Sequence, residues 1–115
     1  WTQAAQLPGG ELAWNDMAWE LCTAPDASLR DPRRGLDAAI KATTKDTSPG
    51  WLDTLAACQA ASDDFASAAA TEQRALANSD PDSDIAANVR ARIDLYRDHK
   101  VYIQPPYNTP DAQQR

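Results

Sequence analysis

Histidine, methionine and phenylalanine occur once each in this chain, cysteine twice and glycine four times. These scarcities exclude several chemistries. The lone histidine, His99, cannot build a multi-histidine metal centre, and no serine or cysteine stands in a recognisable motif with it that would make it a general base. Gly9, Gly10, Gly35 and Gly50 form neither a phosphate loop nor a dinucleotide fingerprint. Two cysteines, Cys22 and Cys58, are too few for a zinc site or a disulfide framework. Positive charge is also in deficit: 11 Lys and Arg against 17 Asp and Glu give a net charge of −6. Nucleic acid and anionic lipid, which require a basic patch, are therefore poor partners. No apolar run approaches the roughly 18–20 residues of a membrane span. The expectation is a non-enzymatic protein with no catalytic residue, no metal and no cofactor.

What is present is enough for one domain. The chain has 115 residues, of which 43% are hydrophobic and 24% charged, an ordinary globular balance. It begins at Trp1 rather than Met, as expected of a processed mature end or of a piece of a longer protein. That start and a stiff C-terminal tail lean weakly towards an extracellular or periplasmic location, with the cytoplasm as the alternative.

Alanine is abundant, β-branched residues are few, and apolar residues recur at helical spacing. The dipeptides Asp31-Pro32, Ser48-Pro49 and Asp80-Pro81 each pair an N-cap with a proline suited to the first helical position. The marks predict helices over 11–23, 32–45, 49–61, 64–77 and 81–99. Inward stripes are expected at Trp14, Met17, Ala18 and Leu21; at Leu36, Ala39, Ile40 and Thr43; and at Leu52, Leu55, Ala56 and Gln59. Further stripes fall at Phe65, Ala68, Ala69 and Leu76, and at Ile85, Val89, Ile93 and Tyr96. Arg90, Arg92, Arg97 and Asp98 are expected mostly in solvent. Residues 1–10 and 101–115 are expected to be extended, flanking a helical domain over 11–100; Pro105, Pro106 and Pro110 favour polyproline II in the tail. Asp80, Asp82 and Asp84 alternate as in a calcium loop, but Ile85 stands where glycine is needed and Ala91 where the bidentate glutamate falls. The cluster reads instead as acid at a helix N-terminus.

The helices come in pairs. Trp14-Asn-Asp-Met-Ala lines up with Trp51-Leu-Asp-Thr-Leu-Ala, and small residues mark each second helix: Gly35, Ala39 and Ala42, then Ala68 and Ala75. A helix–turn–helix unit of about 34 residues with this grammar resembles the tetratricopeptide repeat. The likeness is sharpest over Trp51–Leu76, and the stretch Asn15–Asp26 with Leu29-Arg-Asp-Pro resembles a divergent bacterial subgroup. In the first unit the turn is about five residues longer than the motif, and Pro32 replaces the usual aromatic; Gln59 stands at a bulky position. The resemblance implies an all-α fold, a short α-solenoid of two repeats closed by a C-terminal capping helix.

The family's concave face would here carry Asn15, Asp16, Trp19, Cys22 and Thr23, with Asp53, Thr54, Ala57 and Ala60. Binding is expected at Asn15, Asp16, Trp19, Thr23, Asp53, Thr54 and Ala57, with shielding of a repeat junction as the alternative role for Trp19. The family's peptide clamp uses Lys, Arg and Asn against a terminal carboxylate; this groove offers Asp16 and Asp53, so a basic or neutral extended segment fits better. A repeat stack would also set Cys22 beside Cys58, leaving open a disulfide or two buried thiols. The implied partner is a protein or peptide, copies of the chain included. The alternative is a structural subunit assembling head-to-tail into an oligomer or extracellular fibre through its open repeat end and a tail carrying Val101, Tyr102, Ile103, Pro105, Pro106 and Tyr107.

Overall fold

The structure, a computed structural model, describes residues 10–44 and 46–105. Among them stand five α-helices and no strand: α1 (Gly10–Thr23), α2 (Pro32–Thr43), α3 (Pro49–Ala61), α4 (Phe65–Ala77) and α5 (Asp84–Arg97). The N-terminal segment through Gly9, together with Lys45, Pro106 and Tyr107, lies outside the described residues. Consecutive helices pack on one another, and α3 also packs against α1 and α5.

That central place explains the composition of α3. Leu52–Cys58 and Ala60 are all buried, so the helix has no solvent face to mark with charge. α2 works differently. It meets α1 through Gly35, Ala38, Ala39 and Ala42, all buried and all small. The approach is so close that a β-carbon at Gly35 would collide with Cys22 Sγ. Ile40, expected inside, is 49% exposed, because the narrow seam admits only the small-residue face of the helix. The long α1–α2 connection is taken up by a 3-10 turn, Ala27–Leu29, capped by Asp26 and tied back by Arg30 Nη1 donating to the Ala24 carbonyl at 2.7 Å.

Asp31 and Asp64 cap α2 and α4 by accepting from the backbone N–H groups of Arg34 and Ser67. Ser48 precedes Pro49 but makes no side-chain cap. The last helix begins later than expected. Asp80–Asp82 folds into a turn, with Asp80 Oδ1 accepting from the Asp82 N–H at 3.0 Å, and Ser83 supplies the cap. α2 and α5 also end two residues short of the expected termini.

α3 and α5 end alike. The N–H groups of Asp63 and Asp64 donate to the Ala60 and Gln59 carbonyls, and those of His99 and Lys100 to Tyr96 and Leu95. These are Schellman closures, with Asp63 at φ 70° and His99 at φ 58° in the left-handed position that favours glycine. Asp63 is exposed. Asp63→Gly is therefore expected to stabilise the fold by about 1 kcal/mol; an unchanged or lowered denaturant midpoint would count against strain there.

Candidate functional site

α1, α3 and α5 together line a cavity of about 400 Å³. α1 supplies Asn15, Asp16, Trp19 and Glu20, α3 supplies Gly50, Asp53 and Thr54, and α5 supplies Ile85, Asn88 and Arg92. On each helix these residues recur three or four apart, which places them on one face. The cavity brings together Asn15, Asp16, Trp19, Asp53 and Thr54 from the expected set. Thr23 and Ala57 are buried instead, as are Cys22 and Ala60.

Arg92 belongs to this site. It was expected in solvent, but its side chain is 12% exposed and ion-paired with Asp53, itself buried on α3. The guanidinium carbon lies 5.3 Å from the Trp19 ring centre and 4.3 Å from that of Tyr102. Burial works against its charge, but the Asp53 carboxylate, helped by Tyr102, outweighs it and holds the guanidinium above its ordinary range. The groove thus contains an arginine, and the Asp53 charge is compensated. The carboxylates that remain towards solvent are Asp16 and Glu20, both exposed.

Behind the pair lies Glu72, fully buried on α4, and Tyr96, fully buried on α5. No N–H group donates to either Glu72 oxygen, and the Tyr96 hydroxyl has no hydrogen-bond partner. Burial pushes the Glu72 carboxyl up to about 11, reinforced by a hydrogen bond to the Asp53 carboxylate and by that neighbour's charge, and partly offset by Arg92. Glu72 is therefore held as the neutral acid. Burial, then Glu72 and Asp53, also raises the Tyr96 phenol above its ordinary value. The residue pattern carried this signal: Ala68, Thr71, Glu72 and Ala75 follow one helical stripe, and all four are buried.

The C-terminal segment crosses the same face. Tyr102 packs against Trp19 with ring centres 5.6 Å apart. The Gln104 N–H donates to the Thr23 carbonyl at 2.9 Å. Its side-chain amide donates to Thr23 Oγ1 at 3.1 Å and to Glu20 Oε1 at 3.2 Å. Tyr102, expected to reach a neighbouring copy, is thus seated on its own chain, as is Gln104.

Cys22 and Cys58 form a disulfide with Cα atoms 5.1 Å apart, joining α1 to α3 beneath the groove. His99 stacks on Phe65 at 5.1 Å between ring centres, and no cluster of three or more metal-ligating residues occurs among the described residues. No helix is long and apolar enough to cross a membrane among the described residues. No protein family, characterised protein or solved structure matches the chain.

Proposed function

We propose that the chain is a non-enzymatic, tetratricopeptide-like interaction module that holds an extended protein segment in the groove of α1, α3 and α5. The observation that carries this reading is the groove's present occupant: residues of the chain's own non-helical tail, with Tyr102 on Trp19 and Arg92 and Gln104 on Thr23. The solenoid reading is supported by the packing order, in which α1 touches α2 and α3, and α3 touches α4 and α5. It is also supported by the small-residue seam at Gly35, Ala39 and Ala42 and by buried Ala68 and Ala75. The buried disulfide fits an oxidising compartment, which agrees with a location outside the cytoplasm.

Beyond the tail, the open cavity presents Asp16, Glu20, Asn15 and Asn88. Two exposed carboxylates favour a neutral or basic segment over an acidic one. Labelled extended peptides of basic, neutral and acidic composition test this by fluorescence anisotropy. Basic peptides should bind more tightly than acidic ones and weaken with added salt. Asp16→Lys should cost the basic peptides about tenfold, and Trp19→Ala should weaken all of them. Asp53 is unsuitable for the charge reversal, because replacing it would leave Arg92 buried without its partner. Wild-type affinity in both variants would refute the groove.

A further inference from the structure

We infer that Val101–Gln104 is a built-in competitor for the groove, and that the groove selects partner segments of the same pattern: an aromatic side chain followed, two residues on, by a carboxamide. This rests on the groove reading above and adds the chemistry of the ligand. The Trp19 indole and the Arg92 guanidinium form a slot whose occupant is the Tyr102 ring. An aliphatic side chain would bury area there but would forgo the cation–π contact.

The second position is selective for a different reason. Thr23 Oγ1 donates its only proton to the Trp19 carbonyl at 2.6 Å, so towards Gln104 it acts only as an acceptor. Glu20 Oε1 is an acceptor as well. Two acceptors call for a group with two N–H donors, which a primary carboxamide has and a carboxylate lacks. Alternate residues of an extended chain point to the same side, which lets positions 102 and 104 engage one face. Pro105 biases Gln104 towards extended backbone, reducing the ordering cost of that geometry.

The tail is tethered directly to the end of α5 through the His99 turn. A tether that short gives a local concentration in the millimolar range. An outside segment making the same contacts therefore meets a groove that is mostly closed, and its apparent affinity falls by the closed fraction.

The test uses the full chain and a labelled peptide, acetyl-Val-Tyr-Ile-Gln-Pro-Pro-amide. Tyr102→Ala with Gln104→Ala should bind this peptide about tenfold more tightly than the wild type does. On that variant, peptides with Ala for Tyr, or Glu for Gln, should lose about tenfold. Equal binding of the parent and Glu peptides, or equal binding by wild type and variant, overturns the inference. A variant that binds every extended peptide alike keeps the groove reading and sinks only this one; a folded variant that binds no peptide sinks both. Should the double variant lose its helical circular dichroism, Gln104→Ala alone serves, with a smaller gain expected and the same peptide ranking decisive.

Discussion

Replacing Cys22 and Cys58 together by alanine is expected to remove about 4 kcal/mol of stability. The bridge spans a sequence separation of 36, so in the unfolded chain it closes a long loop and withdraws much of the conformational freedom that folding must overcome. A small domain is stable by roughly 5–15 kcal/mol in all, so the loss is a large share of the total. In the native state both cysteines are fully buried. Reductant should therefore act slowly on the folded protein and quickly once denaturant opens it. Urea unfolding with and without reductant, beside the double-alanine variant, measures the difference. Coincident midpoints would show that packing of α1 on α3 stabilises the fold without help from the bridge.

Glu72→Gln is expected to stabilise the protein at neutral pH. The Glu72 carboxyl has its ordinary pKa of 4.5 in the unfolded chain, and burial in the folded protein pushes it up to about 11. The native state therefore binds the extra proton between those limits. Its contribution to stability is fully present below about pH 4.5 and is lost progressively as the pH rises through about 11. At pH 7 the cost relative to the protonated state is on the order of 3 kcal/mol, since one pKa unit corresponds to about 1.4 kcal/mol. Glutamine carries no such proton to lose. The gap between variant and wild type should be small at pH 4.5 and widen with pH, reaching about 2–3 kcal/mol at neutrality after the fit of the amide group is allowed for. A gap that stays constant across that range would mean Glu72 is ionised in the folded protein.

The helices were largely legible before folding was considered. Asp31 caps as the following proline suggests, Asp64 caps the helix it was expected to begin, and α3 begins and ends at the expected residues. Asp80-Pro81 misled because a capping acid before proline also makes a turn; Ser83, three residues on, then captured the Ala86 N–H. Part of the groove was legible too, since Asn15, Asp16 and Trp19 share a face of α1 and Asp53 and Thr54 a face of α3. Arg92 was not. A long charged side chain at the edge of an apolar stripe has the pattern of a solvated one, and its carboxylate partner lies 39 residues away on a different helix.

The chain by itself determined that it would be helical and where most helices start and stop. These follow from propensity, capping and periodicity, which act over a few neighbouring residues. Tertiary structure alone decided which faces met. It decided that Cys22 and Cys58 are bonded, turned Arg92 inward onto Asp53, buried Glu72 beside Asp53 and laid Tyr102 on Trp19. Periodicity specifies which face of a helix is apolar but not which other face it meets, and burial and charge pairing arise only at that meeting.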